Sequence, residues 1–110
     1  MRRPDLEIKF DASASQLEPR PGEFVIDSIN SVEDTKGNNG DRGSLRVTNL
    51  RLIWASHKKR TNLSIGFNTV VSVAIKKAKS RLRGSTNALF LLTKPRFEFI
   101  FTSGPRMFTT

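Results

Sequence analysis

From Glu23 onward, apolar and polar side chains alternate in short runs that are bounded by glycine, proline, asparagine or charge clusters. This period of two is the mark of strands with one buried face. The run EFVIDSINSV predicts a first strand, with Phe24 and Ile26 on one face. SLRVTN sets Leu45 and Val47 against Ser44, Arg46 and Thr48, and RLIWAS follows with Leu52 and Trp54 inward, so the two predict a hairpin. NLSIGF aligns Leu63, Ile65 and Phe67, and TVVSVAIKK aligns Val71, Val73 and Ile75. After the basic run KKAKSRLRGS come NALFLLT and RFEFIFTS, the second with Phe97, Phe99 and Phe101 opposite Glu98, Ile100 and Thr102. Seven strands and no long helix follow from the pattern, an all-β antiparallel sandwich or small barrel. Residues 1–22, with Pro4, Pro19 and Pro21 and a polar middle, read as an N-terminal arm with at most a turn of helix around Ala12 to Leu17. Residues 23–110 read as the domain itself.

The glycine-rich stretch 34–43, DTKGNNGDRG, invites three readings. A phosphate loop needs a strand before it, Lys-Ser/Thr at its end and a helix behind it. Here a strand follows and the lysine stands at the wrong end. A calcium loop starting at Asp34 needs an oxygen ligand, a glycine and an acid where the chain has Lys36, Asn39 and Leu45. A hairpin tip remains, since Gly37, Asn38, Asn39 and Gly40 all accept positive φ. In a functional variant of that reading, the tip presents Lys36, Arg42 and free amides to an anion.

Composition narrows the chemistry further. At 110 residues the chain suits one domain, and apolar and charged contents of 36% and 26% suit a globular protein. There is no cysteine, which excludes disulfides and thiolate metal sites and favours a reducing compartment. The N-terminus lacks the apolar run of a signal peptide, and no run is long enough to cross a membrane as a helix. Charge divides sharply along the chain. Residues 1–41 hold five Lys/Arg and nine Asp/Glu, net −4, and residues 42–110 hold fourteen Lys/Arg and one acid, net +13, which together give the formal +9. A field of that sign attracts phosphorylated lipid surfaces, nucleic acids or acidic protein faces. His57 is the only histidine and has no partners for a metal. No acid pair or nucleophile with a base stands out, so neither an active site nor a cofactor is expected. Trp54 and the phenylalanine row read as core, which weighs against base stacking.

The stretch GEFVIDSINSVEDTKGNNGDRGSLRVTNLRLIWAS, followed by NLSIGFNTVVSV, SRLRGSTNALFLLTK and RFEFIFT, resembles the opening part of the Bardet–Biedl syndrome protein five family, subunits of the ciliary cargo-trafficking coat called the BBSome. The resemblance runs from about Leu6 to Thr110. It implies a pleckstrin-homology-like fold of seven antiparallel strands in two nearly orthogonal sheets, normally closed by a C-terminal helix. That helix and the second of the family's two repeats are expected to be missing from this chain, which would leave apolar barrel-end surface uncovered and in need of a partner. The resemblance also implies phosphoinositide binding, other BBSome subunits as partners, and a place in the cytoplasm at the cilium, ciliary membrane and basal body. Lipid-binding relatives use a lysine near the end of the first strand and a close basic pair at the start of the second. Lys36 fits the first, but Arg42 and Arg46 are four apart rather than two, and Glu33, Asp34 and Asp41 surround the tip. The candidate lipid-binding residues are therefore Lys36, Arg42 and Arg46 of the first hairpin, Lys58, Lys59 and Arg60 of the next connection, and Lys76, Lys77, Lys79, Arg81 and Arg83 of a third. A simple up-and-down meander places the three connections at one end. The other readings the charge allows are a nucleic-acid-binding small barrel and a purely structural subunit that meets an acidic partner.

Overall fold

A computed structural model describes residues 7–35, 41–58, 61–80, 84–94 and 96–103. Its strands are β1 (Ile8–Phe10), β2 (Val25–Asp34), β3 (Arg42–Thr48), β4 (Arg51–Ser56), β5 (Asn62–Gly66), β6 (Val70–Ser80), β7 (Gly84–Thr93) and β8 (Glu98–Thr102), with a single-turn helix α1 (Ala14–Leu17). They form one antiparallel sheet in the order β1-β5-β4-β3-β2-β8-β7-β6. The seven strands read from the alternation are all present. The eighth, β1, comes from the arm, where IKF is too short for its period to be legible, and it is held by pairing Ile8 with Ile65 and Phe10 with Leu63.

The sheet curls around Val32, Leu45, Leu52, Trp54, Leu63, Ile65, Leu91, Phe99 and Phe101. Trp54 has no exposed surface, as its position on the apolar face predicts. The reading of each alternating run as a strand with one buried face needs correction at both ends of the curl. Phe24 and Ile26 are each 61% exposed, and Val71 and Val73 are 61% and 60% exposed. In β2 the pairing with β3 shifts register between Val25 and Asp27 and again between Ile29 and Val32, which breaks the alternation. Moreover β8 reaches β2 only at Glu33 and Asp34, leaving the first half of β2 without a described strand on that side. Val73 pairs with core residue Leu91, but β6 ends the sheet and no further strand covers it. Phe97 is 41% exposed and extends the aromatic row to Phe10, with ring centroids 5.3 Å apart.

The basic segment 76–83, read as a connection, is also corrected. Lys76, Lys77 and Lys79 belong to β6, which stays paired with β7 as far as Ser80↔Gly84. Lysines are suited to such a strand because their stems lie along the sheet while their charges stay in water.

One tight approach sets the β3–β4 hairpin. Gly43 of β3 lies against β4 so closely that an added Cβ would stand 2.2 Å from the Ala55 carbonyl oxygen and 2.8 Å from Trp54 Cε2. Gly43→Ala should therefore cost about 1–3 kcal/mol through overpacking. Urea denaturation checks this, and a midpoint equal to that of the unaltered chain would contradict it.

Candidate functional site

The arm is tied to the barrel by two clamps. Ala12 N–H donates to Asn62 Oδ1 at 2.8 Å, and Asn62 Nδ2 donates back to the Ala12 carbonyl at 3.0 Å. Beyond it α1 opens with a capping box, in which Ser13 Oγ accepts from the Gln16 amide and Gln16 Oε1 from the Ser13 amide. The second clamp is Arg51, which is fully buried. Its guanidinium donates to the carbonyls of Gln16 and Glu18, left over at the end of α1, at 2.8 and 3.1 Å. It also donates through Nε to Glu23 Oε2 at 2.9 Å and through Nη2 to Glu23 Oε1 at 3.1 Å. Thr48 Oγ1 donates to the same carboxylate at 2.7 Å and accepts from the amides of Leu50 and Arg51, so it also closes the β3–β4 turn. Burial acts to raise the Glu23 pKa, but the hydrogen bonds from Arg51, the Arg20 amide and Thr48, with the charge of Arg51, prevail and hold it at about 2. Sequence reading passed over this pair, since an arginine opening RLIWAS looks like one more cation of a basic segment.

The basic candidates separate into two groups. The β2–β3 and β4–β5 connections converge as a corner: β2 and β3 pair antiparallel up to Glu33↔Arg42, the Asp34 amide donates to the Asp41 carbonyl, and the His57 amide donates to the Arg42 carbonyl at 3.0 Å. Gly37, Asn38, Asn39 and Gly40, read as the hairpin tip, lie outside the described residues. Arg42 and Lys58 are both exposed here, Lys58 following the residue whose amide bonds to the Arg42 carbonyl. Arg46, also exposed, lies four residues along β3 and pairs across to Ile53. Lys36, Lys59 and Arg60 belong to these connections by sequence but lie outside the described residues, as do Arg81 and Arg83.

Two of the acids at the corner turn inward. Glu33 and Asp34 are buried, and Glu33 Oε2 accepts from Thr102 Oγ1 at 3.2 Å. Their carboxylates therefore do not line the outer surface next to Arg42. His57 Nε2 lies 3.2 Å from Ser44 Oγ, which donates to Asn30 Oδ1. Among the described residues no group of three metal-ligating side chains occurs, and no helix is long and apolar enough to cross a membrane.

The second group lies three strands along the sheet from β2. Lys76, Lys77 and Lys79 are exposed on β6, and Lys76 Nζ lies 4.6 Å above the Phe90 ring. These lysines occupy an edge strand and not a connection, yet the registers Lys76↔Ala88, Ala88↔Thr102, Glu33↔Thr102 and Glu33↔Arg42 put Lys76 in the same cross-strand row as Arg42, with Lys77 and Lys79 in the rows next to it.

Comparison with known proteins gives a consistent result. The chain is 54% identical over 114 aligned residues to the BBSome complex member BBS5 of Mus musculus and 53% identical to that of Danio rerio, in both cases over 96% of this chain and 33% of the relative. It is 48% identical over 109 residues to the BBSome complex member bbs-5 of Caenorhabditis elegans, over 90% of this chain and 30% of the relative. The chain thus spans about a third of the length of the curated relatives it matches. Residues 23–110 match the family model of the Bardet-Biedl syndrome 5 protein N-terminal PH-like domain, and the curled antiparallel sheet agrees with that fold. The chain belongs to the Bardet-Biedl syndrome 5 N-terminal PH-like domain family.

Proposed function

We propose that this chain is a non-catalytic BBSome subunit module that serves ciliary membrane-protein trafficking and rests on phosphoinositide-bearing membrane through the Arg42–Lys58 corner. Residues 23–110 act as the first of two pleckstrin-homology-like repeats, and other BBSome subunits are the protein partners. The observation that carries the lipid reading is the hydrogen bond from the His57 amide to the Arg42 carbonyl, which joins the two basic connections. Arg42 and Lys58 are the described cations of this corner, Lys36, Lys59 and Arg60 are its near neighbours in the sequence, and Glu33 and Asp34 are buried. At roughly 1 kcal/mol per basic residue near an anionic leaflet, such a corner gives useful attraction without a shaped headgroup pocket. Lys76, Lys77, Lys79, Arg81 and Arg83 add to the long-range field only. Peripheral binding to ciliary membrane from the cytoplasm follows.

Vesicle co-sedimentation tests the reading. The chain should pellet with phosphatidylcholine vesicles that carry phosphatidylinositol phosphates, and Arg42→Glu with Lys58→Glu should weaken this at least tenfold, because both residues reverse sign near the surface. Pelleting unchanged by the reversal would remove the corner from the account. Equal binding to duplex DNA at the same salt would favour a nucleic-acid role. Binding to neither would leave a structural subunit.

A further inference from the structure

The structure assigns the open edge of β6 as a docking site for an extended acidic segment of a partner protein, which would join the sheet as an added strand. β6 has eleven residues and pairs with β7 alone among the described strands. Its free side therefore presents a row of main-chain donors and acceptors. The other terminal strand, β1, has only three residues, too few to template a long added strand.

The side chains on β6 say what kind of strand fits. Its first half, Val71 to Ala74, is exposed and holds neither charge nor proline, the usual defences of an edge, and Val71 and Val73 are more than half exposed. Its second half carries Lys77 and Lys79, which stand opposite Asn87 and Ser85 of β7. No acid occurs anywhere in β7, so the sheet supplies no cross-strand carboxylate for them. The edge is thus an apolar stretch followed by a cationic one. Main-chain pairing supplies affinity and the alternate side chains supply selection, so the fitting strand is apolar opposite Val71 and Val73 and acidic opposite Lys77 and Lys79. A second copy of the chain fits poorly: full antiparallel self-pairing sets Lys77 and Lys79 of each copy opposite Val73 and Val71 of the other, with no carboxylate to meet them, between molecules of formal charge +9. This inference is independent of the lipid reading, since it uses neither Arg42 nor Lys58.

The test uses the whole chain, isotope-labelled for amide spectroscopy, and a synthetic capped peptide that alternates threonine with valine over one half and with glutamate over the other. The expected result is that amides of Val71 to Lys79 shift and gain protection from hydrogen exchange. A counterpart peptide with lysine in place of glutamate should bind about tenfold more weakly, as loss of two or three exposed ion pairs and their replacement by repulsion implies. The variant Lys77→Glu with Lys79→Glu, both exposed and so compatible with folding, should reverse that preference. The proposal is overturned if β6 amides do not respond, if the two peptides bind equally, or if the response lies at the Arg42–Lys58 corner. Protection of β6 without peptide, together with a dimer in sedimentation, would overturn it in favour of a second copy.

Discussion

Replacing Arg51 by methionine is expected to lower stability by about 3–5 kcal/mol, because it leaves the Glu23 carboxylate buried without its cation. For a chain of this size that is a fall of about 15 °C or more in the unfolding temperature, since roughly 1 kcal/mol moves it by 4–8 °C. The loss does not measure the worth of the pair. A double replacement, Arg51→Met with Glu23→Leu, should recover much of it, since two apolar groups need no mutual compensation. Full recovery is not expected, as the guanidinium also holds the Gln16 and Glu18 carbonyls and so docks α1. The effect depends on pH in a defined direction. Glu23 falls from its ordinary 4.5 to about 2 in the folded state, so its stabilisation is complete above about pH 4.5 and is lost as pH falls toward 2. The shift corresponds to about 3 kcal/mol. Glu23→Gln should therefore show a large deficit at pH 7 that narrows on acidification through this window. Thermal unfolding followed by circular dichroism reads both variants, and a deficit independent of pH between 4.5 and 2 would show that the carboxylate is not held as described.

The strands were legible because one face of each is buried, which is the condition that makes a period of two visible. Leu45 with Val47, Leu52 with Trp54, and Leu63 with Ile65 alternate along β3, β4 and β5, and all pack in or against the core. Alternation reports which residues share a face, however, and not what covers that face. Phe24, Ile26, Val71 and Val73 follow the same pattern and are exposed, because β2 changes register twice and β6 has a neighbour on one side only. Neither a register shift nor a place in the sheet order leaves a local trace in composition.

The candidate site was legible as charge and not as geometry. Counting cations singled out the three segments, and the pairing of β3 with β4, continued by the bond from the His57 amide to the Arg42 carbonyl, brings the chain before Lys58 against Arg42. Counting could not separate Lys77 and Lys79, since a lysine run reads as a loop whether or not it lies in a strand. Arg51 escaped for a related reason: its charge is the same as that of Arg46, yet one is fully buried and the other exposed. What distinguishes them is Glu23, separated by twenty-eight positions and brought near only by folding.

Trp54→Ala should be the other severe replacement, at about 3–5 kcal/mol, the usual range for deleting a buried tryptophan ring. Two features of the site put it at the upper end. The ring is flanked in the sheet by Leu45 and Leu63 and lies against Gly43, so one wall is main chain held in the sheet and has no side chain to move into the space. In addition, the indole N–H donates to the Val32 carbonyl at 2.9 Å. That carbonyl lies just after a register shift in β2, beside Ser31 at φ 59, and would be left buried without the indole. Trp54→Phe separates the two contributions: it keeps most of the apolar volume and removes the donor, so about 1–2 kcal/mol is expected. Since Trp54 is the only tryptophan in the chain, its own fluorescence reports the unaltered protein. Emission should be blue-shifted and poorly quenched by iodide in the folded state, with both properties lost in one urea transition. If iodide quenched the folded protein as strongly as the unfolded one, the indole would be in water, and the closed inner wall on which the fold and both proposed surfaces depend would be wrong.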